Sequence, residues 1–232
     1  MSAVIVGNII VVVIVLLIGR AFYDRWQTLR RAEFIRTFRW PRGLLERLEK
    51  HHPGFERKDS ALVSRGLRQF FLAYLMSGKR HVSMPSQVAD DLWHEFILYT
   101  RDYDAFCRRA FGGFLHHTPA VVLSAHRKSN EGLRRVWWYC CKYENIDPVT
   151  PSRLPLLFAL DSKLKIANGF VYQPDCKALR QDGSGAAYCG GDFSDSSVDG
   201  SSDGFGDGGS DSGGGDGGGG GDGGGGGCGG GD

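Results

Sequence analysis

No Lys or Arg precedes the apolar run that opens this chain, and none stands between Asp182 and Asp232. The first absence argues against a cleaved secretory leader, which places a basic stretch before its apolar core and a small-residue cleavage site after it. The second leaves ten Asp uncompensated, a side-chain charge of −10 in that stretch. The first 181 residues then hold 28 basic against 16 acidic residues, so a formal net charge of +2 conceals a basic body and an acidic tail. Cysteine is sparse. Cys107, Cys140, Cys141, Cys176, Cys189 and Cys228 form no CxxC pair and no zinc-finger spacing. Adjacent Cys140 and Cys141 point in different directions on a helix, as suits reduced thiols in a reducing compartment. Also missing is any convincing alternation of apolar and polar residues with period two, which argues against strands. The basic residues are spread over several helical stretches and no nucleic-acid-binding module is recognisable, so nucleic acid is not an expected partner.

What is present begins with AVIVGNIIVVVIVLLIG, Ala3 to Gly19, apolar apart from Asn8. As a helix it spans ~25 Å, the short end of what crosses a bilayer. Ala21, Phe22, Tyr23 and Trp26 extend it into the interfacial zone, where Trp and Tyr are favoured. Arg20, Arg25, Arg30, Arg31, Arg36 and Arg39 come close behind. Positive charge dense on that side opposes export of the body. The expectation is a single-pass membrane protein with its N-terminus outside and its body in the cytoplasm, in a bacterial inner membrane.

Four segments are expected: an anchor over 1–20, a basic juxtamembrane helix over 21–39, a helical domain over 40–180, and a Gly/Asp-rich tail over 181–232. The helical domain is ~140 residues, enough for one core of its own. Of 35 Gly, 25 fall in the tail, which has almost nothing apolar to bury and is expected to be disordered. Its irregular Asp spacing does not fit calcium-binding repeats. An acidic strap folding back on the basic body is the more economical expectation.

Between them the pattern is all-α. Pro41 suits a first helical turn and GLLERLEKHH runs on from it until Pro53. Asp59 or Ser60 then caps a longer helix on which Leu62, Leu67, Phe70, Phe71, Tyr74 and Leu75 recur at helical spacing up to Gly78. Pro85 and Ser86 open the next, and Thr100 caps a further turn ending at Gly112 and Gly113. After Pro119 a helix is expected to run to about Asn145, ended by Pro148, Pro151 and Pro155, with short pieces such as ALDSKLKIA last.

The chemistry concentrates in DLWHEFILYTRDYDAFC, Asp91 to Cys107, and FLHHTP, Phe114 to Pro119. On a helix Asp91 and His94 are one turn apart and share a face; Asp90 and His94, four apart, also lie close. A carboxylate beside an imidazole raises the pKa of a general base, orients a metal-binding ring, or satisfies a buried one. A turn at Gly112 and Gly113 lets His116 and His117 return towards that face. The candidate site is Asp91, Trp93, His94, Cys107, His116 and His117. Asp91, His94 and His117 are its candidate metal ligands, of the kinds zinc and iron accept. Cys107 with a neighbouring His is a candidate nucleophile if exposed. The competing reading makes Trp93, Phe96, Tyr99, Tyr103 and Phe106 plain packing, and His94 a hydrogen-bonded core ring.

Pro85 to Pro119, PSQVADDLWHEFILYTRDYDAFCRRAFGGFLHHTP, resembles the core motif of the glycine-rich domain-containing protein-like family. The positions carrying the resemblance are Asp91, Trp93, His94, Tyr103, Phe106, Cys107, Gly112 and His117. It covers some thirty-five residues closely, with a Gly-rich end of the kind seen beside such domains. Many relatives carry His-x-His after the Trp; here Phe96 stands at the second position, removing a second ligand. The resemblance implies a bacterial, membrane-anchored member with a helical domain and no particular activity. Two functional readings result. One is an anchored helical module that binds a protein partner. The alternative is a metal-dependent or His-based site on Asp91, His94 and His117.

Overall fold

The computed structural model describes residues 2–117, 131–174, 188, 189 and 193. Seven helices lie among them: α1 Ser2–Thr37, α2 Leu44–His51, α3 Arg57–Met76, α4 Gln87–Leu98, α5 Thr100–Phe111, α6 Glu131–Tyr143 and α7 Leu156–Lys163. The expected all-α class holds. The one exception is a two-residue parallel ladder, Tyr172 with Tyr188 and Gln173 with Cys189, too short to leave a period-two signal. The start expected after Pro119 falls outside the described residues, as do Cys176, Cys228 and the tail apart from Tyr188, Cys189 and Phe193.

α1 is one unbroken helix with two environments. The large apolar side chains from Ile5 to Ile18 are exposed, as are Phe22, Tyr23, Trp26 and Leu29. It is long and apolar enough to cross a membrane. Its last turns instead join the body: Ala32 and Ile35 are buried, and Arg31 Nη1 donates to the Phe111 carbonyl at 3.2 Å. The anchor and juxtamembrane segments are therefore one element whose end belongs to the core.

α3 is the central helix, packed against α1, α4, α6 and α7. Val63, Leu67, Phe70, Phe71 and Leu75 form its buried stripe. Its N-cap is Glu56. Asp59, expected as the cap, sits three residues in and accepts from the Glu56 amide at 2.9 Å. A short acceptor at either position satisfies end-of-helix amides, so residue type alone does not separate them. Gly66 permits a close approach between two helices of the bundle. A Cβ there would meet Leu160 Cδ1 of α7 at 2.5 Å, so α3 gives up helix propensity to seat α7. α5 is a full helix rather than a turn, with Tyr99 as N-cap. It is closed by Gly112 at φ 78°, the left-handed C-cap conformation that suits glycine.

Aromatic rings fill the interior. Trp93, Phe70, Phe71, Phe96, Phe106 and Phe111 interlock around α3, α4 and α5, with Phe71 and Phe106 centroids 5.0 Å apart. Trp137, Phe158, Tyr172 and Phe193 continue the same core on the α6–α7 side. A buried carboxylate helps to join the two sides. Asp161 of α7, 3% exposed, accepts from Ser86 Oγ at 2.7 Å, Gln87 N at 2.7 Å, Val88 N at 3.2 Å and Phe170 N at 2.8 Å. It thus caps α4 from across the molecule, satisfying amides that no intrahelical carbonyl reaches. α7 is capped in turn: Leu156 N donates to Glu144 and Leu157 N to Gln69.

Asp161→Ala should lower unfolding free energy by about 2–4 kcal/mol, since it strands several buried donors at once. Chemical denaturation measures it, and a loss below ~1 kcal/mol would show that water replaces the carboxylate there.

Candidate functional site

Ser86 ends the extended chain and caps α4 locally as well, accepting from Ala89 N at 3.3 Å. With the start of α4 fixed from two directions, its next turns carry Asp90, Asp91, Trp93, His94 and Glu95 to fixed places. Trp93 points inward, 3% exposed, against Phe70 and Phe71. Its Nε1 donates to Tyr103 Oη at 3.1 Å, and that hydroxyl donates to the Leu115 carbonyl at 2.5 Å. Burial, with the nearby Cys107 as the next cause, pushes the Tyr103 phenol far above its ordinary value of 10.0. It therefore serves as a neutral relay that ties α4, α5 and the segment after Gly112 together.

That tie brings the segment back to α4. His117 lies edge-on to Trp93, centroids 4.6 Å apart at 72°. Its Nε2 meets Asp90 Oδ1 at 2.8 Å. Nε2 is therefore the protonated nitrogen in this arrangement, because an ionised carboxylate only accepts. His94 Nδ1 stands 3.9 Å from the other Asp90 oxygen, and the His94 and His117 rings are 4.2 Å apart. Donor atoms of Asp90, His94 and His117 all lie within 4.8 Å of one another. The Asp90 and His117 side chains are 6% and 10% exposed, whereas that of His94 is 50% exposed. The cluster therefore has a buried base and one open side.

The candidate residues divide sharply. His94 and His117 come together, with Trp93 as the platform beneath His117. Asp91 is not the carboxylate between them. It turns to α2, where its Oδ2 meets His52 Nε2 at 3.0 Å and its Oδ1 accepts from Gln87 at 3.1 Å. Both spacings to His94 fit one helix face. The rotation of α4 that buries Trp93 decides between them, because it turns Asp90 towards the returning segment. Beside Asp91, Glu95 pairs with Arg47 at 3.2 Å and lies 3.6 Å from His51, so α4 meets α2 through a second line of acids and histidines. His52 and Glu95 had no signal beyond residue type, since nothing in the sequence says that α2 lies across α4. His116 is exposed, its ring against Phe114. Cys107 is fully buried. Burial pushes its thiol above the ordinary 9.0, with weaker opposing bonds to Leu115 and Tyr103, which is the reverse of what a nucleophilic thiolate needs. Cys140 and Cys141 are likewise free and buried, and burial raises Cys141 to about 12.

A family model matches residues 30–193, covering the end of α1 and the whole described body. The chain belongs to the UCP032817-like family. That is an uncharacterised family, so its membership defines the domain and leaves the chemistry to the site. The match begins after the exposed apolar part of α1, so the family is defined by the body rather than by the apolar segment. It contains the whole Asp90–His94–His117 cluster. No curated protein and no solved structure matched the chain.

Trp93→Ala should cost about 3–5 kcal/mol of stability, through a cavity and the orphaned Tyr103 hydroxyl. His94→Ala, half exposed and with only a long contact to Asp90, should cost less than ~1 kcal/mol. Urea unfolding of the two variants makes the comparison. Equal losses would identify His94 as a structural ring.

Proposed function

We propose that this UCP032817-like protein is a membrane-anchored helical module that binds one divalent metal ion through Asp90, His94 and His117. The observation that carries the reading is the convergence of two imidazoles and one carboxylate within 4.8 Å, with one ring half exposed. Two histidines and a carboxylate suit zinc or ferrous iron, and three protein ligands leave positions for water or a ligand. A bound ion would require His117 to present Nε2 unprotonated, its one N–H moved to Nδ1, and protons would compete with the ion for both imidazoles, so binding would weaken in acid. The Trp93–Tyr103–Leu115 relay orients His117 from behind, the role an outer layer plays at a metal centre. The positions that carry the resemblance of residues 85–119 to glycine-rich domain-containing proteins include His94 and His117 but have Asp91 rather than Asp90.

The same proposal places α1 across a bacterial inner membrane, N-terminus outside, with the body and its protein partner in the cytoplasm. The arginines from Arg20 onward support it. The Tyr23–Trp26 pair, with Arg30 stacked 4.4 Å over Trp26, suits the lipid–water boundary.

The metal test uses purified full-length protein, stripped with chelator and dialysed against zinc or ferrous iron. About one equivalent per chain should be retained, lost in Asp90→Asn and His117→Ala and kept in Asp91→Asn. A wild type that retains no ion, or an Asp90→Asn protein that retains it equally, removes the metal from the proposal. For topology, a reporter fused after Asp232 should be active only in the cytoplasm. Activity outside, or release of a processed soluble body, reverses the placement.

A further inference from the structure

A second concave surface lies on the opposite side of α3 from α4, where α1, α3 and α6 meet. Arg36, Arg65, Arg68, Gln69, Leu72 and Tyr143 line a cavity of about 240 Å³. Three guanidiniums from two helices face one hollow whose lining contains no acid. Such convergence is unfavourable by itself, because like charges repel at short range.

The three arginines are not equivalent. Arg68 is built in: its Nη1 and Nη2 donate to the Ile35 and Phe38 carbonyls at 2.8 and 2.7 Å, and it stacks 4.8 Å over Trp40. Those partners are neutral. Burial, partly offset by Tyr143, pulls its pKa below the ordinary value of 12.5, but a guanidinium keeps its charge at neutral pH. Among the described residues no carboxylate lies within 4.0 Å of Arg65 or Arg68, while Arg36 has exposed Glu33 at 3.7 Å on the rim. Arg36 also sits 5.8 Å over the Tyr143 ring. Glu144, the next residue, is not in the lining: it accepts from Gln69, which is, and is held by Arg153 and Leu156 N. The hollow therefore holds one half-buried cation, Arg68, tied to backbone carbonyls, and two exposed arginines, with a phenol beside them.

We propose that this hollow binds the phosphoryl group of a small soluble phosphate ester or of phosphate itself. Arg36 and Arg65 grip it by paired N–H donors, and Arg68 supplies charge from beneath. Guanidinium forks match phosphate oxygens two at a time, and a hydroxyl completes the shell. A phospholipid headgroup offers the same chemistry, but position favours the soluble source. From Trp26, at the proposed lipid–water boundary, to Arg36 the helix rises ~15 Å, whereas the headgroup layer is only about 5–8 Å deep on each side.

Calorimetry with inorganic phosphate tests it, using the full chain in neutral phosphatidylcholine nanodiscs. The Asp90→Asn background keeps any metal-bound phosphate out of the signal. Saturable binding is expected, weakened by ~10-fold or more in Arg36→Gln and in Arg65→Gln, with unfolding midpoints unchanged in both. The two variants sit on different helices, so misfolding of one leaves the other to decide. Absence of phosphate binding, or affinity unchanged in a folded variant, overturns the site. A midpoint shift seen only in phosphatidylglycerol nanodiscs, and abolished by the variants, overturns the soluble ligand in favour of a headgroup.

Discussion

The Asp161 carboxylate is the constraint on which the site rests. A helix leaves its first amides without partners, and burying them unsatisfied is among the more expensive faults a core can contain. α4 begins inside the molecule. Its first turn is supplied with acceptors by a residue on α7, reached by folding the chain back over more than seventy positions. Two buried elements are thereby held to one another in rotation and height. Because Asp90 lies just one turn along from that junction, a rotation of α4 by one residue would exchange Asp90 for Asp91 beneath His117.

From that fixed start the site is assembled by a short polar chain inside an aromatic core. Trp93 donates a hydrogen bond to Tyr103, and Tyr103 donates one to the Leu115 carbonyl. These bonds, with the Cys107 thiol beside them, tie the segment after Gly112 to α4 and α5. That tie lays His117 over Trp93 and against Asp90. The same tryptophan is thus both packing and positioning, which removes the apparent choice between a core and a site. The half-exposed ring of His94 is the part of the cluster that packing does not demand.

How much of this was legible in the sequence depends on the range of the interaction. Helices were readable because apolar spacing and Pro or Gly stops are local: the stripe of α3, the Ser86 start of α4 and the Gly112 end of α5 are all set by near neighbours. The identity of the α3 cap was not, because Glu56 and Asp59 are interchangeable as local acceptor signals. At the site, His94 and His117 stood out by type and by the intervening glycine turn, but the choice of Asp90 over Asp91 depends on how α4 rolls against α3. Asp161 was invisible. Within ALDSKLKIA it looks like any solvated acid, and its burial is decided by residues on another helix.

The unbroken helix of α1 has a mechanical consequence. Between Arg20 and Thr37 there is no Gly or Pro, and the helix runs without interruption from exposed apolar turns to the buried Ala32 and Ile35. A swivel between bilayer and body would have to bend a continuous hydrogen-bond ladder, so the helix behaves as an axle keyed into its wheel. In the membrane-anchored reading proposed above, a tilt or spin of the apolar end is passed along the helix to the bundle. The direction in which the open side of the Asp90–His94–His117 cluster faces is then set by the angle at which that axle stands.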